Sequence, residues 1–139
     1  MSQIQNMLCS VDEVRALECG QIAKGVSAQM MMENAGHAAF RLLRECWPCA
    51  ERVSVYCGGG NNGGDGYVLA RLASASGLAV NLVSLAPPST PEARNAKESA
   101  QAAGIYPIPH SQSLLEATDV VVDALLGIGV KGALREPFS

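Results

Sequence analysis

Short runs of β-branched and apolar residues alternate with helical, alanine-rich stretches from residue 52 onwards, and this alternation constrains the fold most strongly. The predicted strands are Val53–Cys57, Ala79–Leu85, Ile105–Ile108 and Asp119–Leu126, and the predicted helices are Gly66–Ala73 and a segment from Thr90 to Gly104. Strands that are joined by helical crossovers run parallel, with right-handed connections. The sequence therefore predicts an α/β fold with a mainly parallel sheet.

Two further helices are predicted ahead of this alternating region. A Ser-x-x-Glu capping box predicts the first, from about Val11 to Ala23. Ser27 is the candidate cap of the second, which ends by Trp47. The run Met30–Met32 predicts packing in the core or at a subunit interface. Gly36 predicts a close neighbour, because glycine inside a helix costs about 1 kcal/mol relative to alanine.

Composition limits the class of protein. The chain has 139 residues, of which 48% are apolar and 17% charged, and residues 1–139 are predicted to form a single domain. The 10 basic residues are scattered among 13 acidic ones, for a net charge of −3, which argues against a nucleic-acid partner. No basic leader and no apolar stretch of membrane-spanning length is visible, so we expect no membrane association. An odd number of cysteines, five, without a leader predicts reduced thiols in a cytoplasmic protein.

The segment Gly58–Gly66 has six glycines in nine positions. Backbone N–H groups in such a turn, leading into a helix, can cradle a phosphate. Formally the segment contains the Gly-x-Gly-x-x-Gly pattern of dinucleotide-binding folds, but the acidic residue expected at the end of the next strand is missing between Asn81 and Pro88. This absence argues against a redox Rossmann enzyme, and the lack of a Gly-Lys-Ser/Thr sequence argues against a P-loop. The alternative is a merely flexible turn.

Polar residues at two strand ends are the candidate ligand contacts. Asn61 and Asn62 offer side-chain carbonyls that suit a ligand hydroxyl or a hard monovalent cation. Asp65 either caps the following helix or contacts a ligand. Asp123 interrupts an otherwise apolar strand end, where an unpaired carboxylate is costly to bury, so it either binds a ligand or caps the next loop.

A second glycine-bearing loop, through Gly127, Gly129 and Gly132, follows the last predicted strand. Ligands of open parallel sheets bind beyond the carboxyl ends of the strands. We therefore expect the functional site where this loop meets the glycine-rich turn after Cys57.

The remaining cysteines and histidines suggest little chemistry of their own. Cys46 and Cys49 have the Cys-x-x-Cys spacing of thioredoxins, but they close a helix and do not open one, which argues against a redox role. His37 and His110 are isolated, so no zinc site is predicted, and His37 is expected on a helix surface.

Three segments together resemble one family. They are Met32-Glu33-Asn34-Ala35-Gly36, Gly60-Asn61-Asn62-Gly63-Gly64-Asp65-Gly66, and Val122-Asp123-Ala124-Leu125-Leu126-Gly127-Ile128-Gly129 with Lys131, Gly132 and Arg135 beyond. The chain resembles the YjeF N-terminal domain family, whose enzymatic members are NAD(P)H-hydrate epimerases. The resemblance implies a Rossmann-like, three-layer αβα fold with a mainly parallel sheet, here preceded by the two N-terminal helices. It also implies an isomerase that interconverts the R and S epimers of hydrated NADH or NADPH (NADHX and NADPHX) in nicotinamide nucleotide repair.

The resemblance carries site residues over by position. It implies that Asn62 and Asp123 bind K⁺, and Asp123 is the candidate catalytic carboxylate, which would stabilise a cationic intermediate and transfer a proton. The implied substrate contacts are Asn61, Asn62, Gly63, Gly64, Asp65, Gly127, Ile128, Gly129, Val130, Lys131, Gly132 and Ala133.

The resemblance also implies a homodimer and a fused or separate NAD(P)HX dehydratase as partner. Domains of this family continue for further strands and contain an Asp-x-Pro-Ser-Gly segment, so residues 1–139 are expected to form a domain whose C-terminal part is missing. Two alternatives remain open. One is a non-catalytic nucleotide-binding or scaffold module of the same fold, and the other is a phosphate-binding domain for a different nucleotide.

Overall fold

A computed structural model of the chain describes residues 8–10, 27–125 and 128–132, the first and last of these segments as backbone only. The elements in chain order are β1 Leu8–Ser10, α1 Ala28–Cys46, β2 Arg52–Cys57, α2 Asn61–Ala75, β3 Ala79–Ser84, α3 Pro91–Ala102, α4 Gln112–Glu116, β4 Val120–Ala124 and β5 Ile128–Gly132. The predicted helix at Val11–Ala23 lies outside the described residues.

The strands form one sheet in the order β1-β5-β4-β2-β3. Strand β2 is parallel to both β3 and β4, whereas β5 runs antiparallel to β4 and β1 antiparallel to β5. Beyond β3, the Ile108 amide donates to the Leu82 carbonyl at 2.7 Å and extends the sheet by one parallel bridge at Pro107. The predicted α/β class with its parallel strands is therefore confirmed.

The sheet lies between two layers of helix and loop. Alternate residues of β2 face α2, where a Cβ on Gly66 would lie 2.9 Å from the Cys57 sulfur. The intervening residues face the other side, where Ser54 hydrogen bonds to Thr118 and Tyr56 to His110. Helix α4 lies in the chain segment between His110 and Thr118. The three-layer architecture predicted from the family resemblance is confirmed.

Helix α2 is the centre of the helical layer. Its interface with α1 depends on Gly36, where an added Cβ would lie 2.5 Å from the Val68 Cβ, so the close neighbour predicted from the sequence is present. The core contains side chains from the sheet and from α2 that are almost fully buried: Val53, Val55, Cys57, Tyr67, Val68, Leu69, Val120 and Val122. Met31 and Met32 are also buried, while Met30 is 56% exposed.

Local signals place most helix ends where the sequence predicts them. The Ser27 side chain accepts a hydrogen bond from the Met30 amide, and the Thr90 side chain accepts one from the Ala93 amide, so both predicted caps are confirmed. Gly104, just after α3, has a φ of +92°, a conformation that glycine adopts without strain.

Three local predictions differ from the structure. Helix α2 begins at Asn61 and not at Gly66, so most of the predicted glycine-rich loop is helical. Residues 128–132 form strand β5 and not a loop. The predicted strand Ile105–Ile108 is only the single bridge at Pro107. Strand β1 is an element that no sequence signal predicts. None of the helices in the described part of the chain combines the length and apolar character that a membrane crossing requires.

Candidate functional site

The candidate site lies at the point in the sheet where successive strands are added on opposite sides of β2. After β2 the chain adds β3 on one side, and β4 then takes its place on the other side of β2. In open α/β sheets such a switch point creates a crevice beyond the carboxyl ends of the two adjacent strands. The Gly58 amide donates to the Ala124 carbonyl at 3.0 Å, so the two strand ends are joined directly. A functional site at the junction of the two segments that follow these strands stays a prediction.

Packing explains most of the glycines in the segment after β2. A Cβ on Gly63 would overlap the Gly58 carbonyl oxygen, and one on Gly64 would overlap the end of the Met32 side chain. A Cβ on Gly66 would lie 2.8 Å from the Ala124 Cβ. These glycines allow the first turns of α2 to approach the sheet and α1, and the interpretation of the segment as a flexible turn is wrong.

The five predicted contacts in this segment differ in their access to a ligand. Asn61 is exposed and Asn62 is half-buried, whereas Gly63, Gly64 and Asp65 are buried. The cap of α2 is Gly60, and Asp65 lies within the helix, so the capping interpretation of Asp65 is wrong. Asn61 and Asn62 are therefore the members of this group that a ligand can reach from solvent.

The connection between β3 and α3 is bonded to the segment that follows β2. We call residues 85–90 the strap and residues 58–63 the turn. The Leu85 amide donates to the Cys57 carbonyl at 2.9 Å. The Gly59 carbonyl accepts from both the amide and the hydroxyl of Ser89, at 2.7 and 2.8 Å. The Thr90 hydroxyl donates to Asn61 Oδ1 at 2.6 Å. The strap is thus bonded to the turn along its length.

Asp123 lies near the carboxyl end of β4, the strand on the other side of β2 from β3. It is half-buried, and its Oδ1 accepts a hydrogen bond from the Leu125 amide at 3.1 Å. This bond agrees with the predicted capping of the next turn. A carboxylate has two oxygens and about four lone-pair directions, so one such bond leaves acceptor capacity for a ligand.

A tyrosine–histidine pair that the sequence did not reveal lies on the same face of the sheet as Asp123. Tyr56 is the β2 residue in register with Asp123, and its hydroxyl lies 2.6 Å from His110 Nδ1. Partial burial raises the pKa of the Tyr56 hydroxyl. The two residues are 54 positions apart, and no local pattern connects them.

The predicted contacts after β4 are only partly brought to the crevice. Ile128 and Gly129 pair with Ala124 and Asp123 at the carboxyl end of β4, but the backbone then runs back, so that Lys131 pairs with Val121. Gly127 and Ala133 lie outside the described residues. Contact of this group with a substrate stays a prediction.

The cysteines of the Cys-x-x-Cys sequence are not bonded to each other. Cys49 is an exposed free thiol, while Cys46 is disulfide-bonded, so the expectation of reduced thiols is wrong at Cys46. Cys57 is a buried free thiol, and burial raises its pKa far above the usual range, which makes it a poor nucleophile. Within the described residues no three His, Cys, Asp or Glu side chains cluster as a metal site.

His37 lies on the surface of α1, as predicted. Its side chain is 56% exposed, and its Nε2 lies 3.9 Å from the Glu33 carboxylate. Glu33 also accepts two hydrogen bonds, at 2.7 and 2.8 Å, from the Arg71 guanidinium, which links α1 to α2.

Comparison with known proteins agrees with this geometry. Residues 28–139 match the family described as YjeF-related protein N-terminus. The chain belongs to this family. The matched region contains α1, the crevice and every predicted site residue.

Relatives of the chain carry enzyme names. It is 40% identical to a bifunctional NAD(P)H-hydrate repair enzyme Nnr of Coxiella burnetii, over 91% of this chain and 26% of the relative. It is 38% identical to an NAD(P)H-hydrate epimerase of Rhodobacter capsulatus, over 86% of this chain and 61% of the relative. The chain thus spans about a quarter of the bifunctional relatives and about three fifths of the epimerases.

A solved structure shares the fold. The crystal structure of the yeast protein YNL200c superposes with a TM-score of 0.68 at 24% identity, and the match covers 91% of this chain and 59% of the yeast chain. This similarity supports the Rossmann-like assignment of the architecture.

Proposed function

We propose that the protein is an NAD(P)H-hydrate epimerase, which interconverts the R and S epimers of hydrated NADH or NADPH. The observation that supports the proposal is a set of solvent-accessible polar side chains, Asn61, Asn62 and Asp123, on the elements that flank the switch point of a chain whose relatives bear that name. The amino end of α2 contributes backbone N–H groups and a favourable dipole for the phosphates of a dinucleotide.

The chemistry requires a cation to be stabilised and a proton to be moved. When a carboxylic acid donates a proton to the hydroxyl on the carbon adjacent to the ring nitrogen, the nitrogen lone pair expels that hydroxyl as water and leaves an iminium ion, and water can then return from either face. A carboxylate beside that carbon stabilises the iminium by charge and accepts the proton of the incoming water. Asp123 is the half-buried carboxylate at the carboxyl end of β4, and we assign it this role.

We propose K⁺ as the cofactor, with the side-chain oxygens of Asn62 and Asp123 among its ligands. Both residues are half-buried, Asn62 in the first turn of α2 and Asp123 near the end of β4, and carboxylate and amide oxygens are the donors that hard cations prefer. When bound, K⁺ would supply positive charge that orients the substrate phosphates. The Leu125 amide donates to Asp123 Oδ1 and restrains the carboxylate.

The further parts of the proposal rest on the relatives. The bifunctional Nnr proteins support an NAD(P)HX dehydratase as a fused or separate partner. We also propose that the substrate contacts include the predicted residues on both sides of the crevice, that the protein forms a homodimer, and that it acts in the cytoplasm. No partner of nucleic-acid type is proposed.

The decisive experiment follows the epimers of hydrated NADPH by chromatography, with and without K⁺. It uses the 139-residue chain and a chain with the length of the curated epimerases. We expect K⁺-dependent interconversion, which Asp123→Asn reduces at least about tenfold because it removes the charge on the catalytic group. Glu116→Gln, an exposed carboxylate change in α4, is the matched control and should leave the rate unchanged.

Two outcomes would contradict the proposal. Near-normal turnover by Asp123→Asn would remove Asp123 from the mechanism. Inactivity of a folded, longer chain that still binds intact NADPH would favour the non-catalytic nucleotide-binding module.

A further inference from the structure

The strap determines which atoms of Asn61 face a ligand. The Thr90 hydroxyl accepts a hydrogen bond from the Ala93 amide at 3.1 Å, as the cap of α3. It therefore has its single proton left to donate, and Asn61 Oδ1 lies 2.6 Å away as the acceptor. An amide nitrogen at that position would be a second donor facing Thr90, and the hydroxyl proton would have no acceptor there.

The position of Thr90 relative to Asn61 is set by the backbone. Both the amide and the hydroxyl of Ser89 bond to the Gly59 carbonyl. On the same stretch, a Cβ on Gly59 would lie 2.9 Å from the Pro87 carbonyl oxygen, so the strap and the turn are in direct contact. The contact between Thr90 and Asn61 is therefore a fixed part of the fold and not a chance meeting of two exposed side chains.

We propose that Thr90 is a positioning residue, which holds Asn61 so that this side chain presents N–H donors to the ligand. With Oδ1 occupied by Thr90, the Nδ2 group is the part of the exposed Asn61 carboxamide that remains to bind a ligand. The group that Asn61 recognises is then an acceptor on the dinucleotide, such as a phosphate oxygen. Asn61 is not a K⁺ ligand, and it differs in this from its neighbour Asn62. This inference rests on the proposed function for the identity of the ligand.

The test compares Thr90→Val with Thr90→Ser in a chain with the length of the curated epimerases. Valine removes both the donated proton and the cap, whereas serine keeps both. We expect Thr90→Val to raise the KM for hydrated NADPH and the Kd for intact NADPH about five- to tenfold, the usual factor for one oriented hydrogen bond. The kcat and the K⁺ concentration at half-saturation should stay within about twofold, because Thr90 acts on binding alone. Thr90→Ser should behave as the wild type.

Ser27→Ala is the matched control for stability. Ser27 caps α1 through a bond of the same length, 3.1 Å from its Oγ to the Met30 amide, and thus belongs to a different helix from Thr90. It should lower the melting temperature about as much as Thr90→Val without changing KM. Equal KM changes in the two variants, or equal effects of the valine and serine changes, would overturn the inference.

Asn61→Asp separates the two possible roles of Asn61. Aspartate keeps an acceptor for Thr90 but replaces the N–H donors with a carboxylate oxygen. We expect weaker NADPH binding and no gain in K⁺ affinity, whereas tighter K⁺ binding would show that the residue is a cation ligand and would refute the inference. If the wild type binds NADPH but does not turn over hydrated NADPH, the proposed reaction is refuted. The Kd values of Thr90→Val and Thr90→Ser for NADPH then still test whether Thr90 positions Asn61. A wild type that does neither would overturn both.

Discussion

Gly36→Ala is the sharpest test of the packing that holds the crevice in place. An alanine Cβ at this position would lie 2.5 Å from the Val68 Cβ and 3.3 Å from the Asp65 carbonyl oxygen. Carbon atoms in contact normally lie about 3.5–4.0 Å apart, so α1 and α2 must separate by about 1 Å. A side-chain rotation of Val68 cannot relieve the contact, because its Cβ does not move on rotation.

Two opposing effects determine how far Gly36→Ala changes the free energy of unfolding. Overpacking of this kind costs about 1–3 kcal/mol, and replacing glycine by alanine inside a helix returns about 1 kcal/mol. We expect a net loss of about 1–2 kcal/mol in the free energy of unfolding, which for a domain of this size lowers the melting temperature by about 3–8 °C. Thermal and urea unfolding followed by circular dichroism measure both quantities.

Val68→Ala completes a double-mutant cycle. It removes the Val68 Cγ1 methyl, the atom nearest to an added Cβ at residue 36, but keeps the Val68 Cβ, so it relieves part of the contact and the double variant should lose at least about 0.5 kcal/mol less than the sum of the single variants. A Gly36→Ala protein that is as stable as the wild type would refute the packing argument. Strict additivity in the cycle would refute the assignment of Val68 as the obstructing neighbour.

Two further predictions concern the turn and the amino end of the sheet. Gly63→Ala should destabilise the protein by more than about 3 kcal/mol, because its Cβ meets the Gly58 carbonyl, whereas Gly60→Ala, with open space around it, should cost less than about 1 kcal/mol. Equal losses in urea unfolding would contradict this. Partial burial alone would raise the pKa of the Asp119 carboxyl, but hydrogen bonds from the Glu51 and Arg52 amides, at 2.9 and 3.0 Å, and the Arg52 charge hold it below its ordinary value. Asp119→Asn should therefore lower stability by about 1–2 kcal/mol at pH 7. Because the native pKa of Asp119 is depressed, the stability difference between the wild type and Asp119→Asn is fully present above the ordinary pKa of aspartate and should vanish as the pH falls through the lower native pKa. A stability difference that persists to the most acidic pH at which the protein stays folded would contradict this prediction.

The sequence predicted those elements whose signals are local. The caps at Ser27 and Thr90, the buried strand around Val55 and the glycine after α3 each depend on a few neighbouring residues, and each is found as predicted. Gly36 was informative for the same reason, since a helix accepts a glycine at a cost that something nearby must explain.

The errors arose where tertiary packing overrides local propensity. Glycine and asparagine disfavour helix interiors, so the start of α2 was placed at Gly66, five residues too late. Gly63 lies against the Gly58 backbone and Gly64 against the Met32 side chain, and these close contacts leave no periodic pattern in the sequence. Strand β5 contains two glycines, which disfavour strands, so its sequence does not predict a strand.

Part of the candidate site could not have been found from one sequence. Asn61, Asn62 and Asp123 stood out because polar residues at strand ends are locally unusual. The bond from Thr90 to Asn61 and the pair of Tyr56 with His110 join residues 29 and 54 positions apart, and only the folded chain brings them together.

The close packing of the first turns of α2 has a consequence for the kinetics of recognition. The Gly58 carbonyl, the Met32 side chain and the Ala124 Cβ leave this segment no space to move inwards when a ligand arrives. Its loss of conformational freedom therefore occurs during folding and not during binding, so little ordering entropy opposes association. Ligand capture should then follow a single kinetic phase whose rate rises linearly with ligand concentration, without the plateau that a slow loop closure would impose.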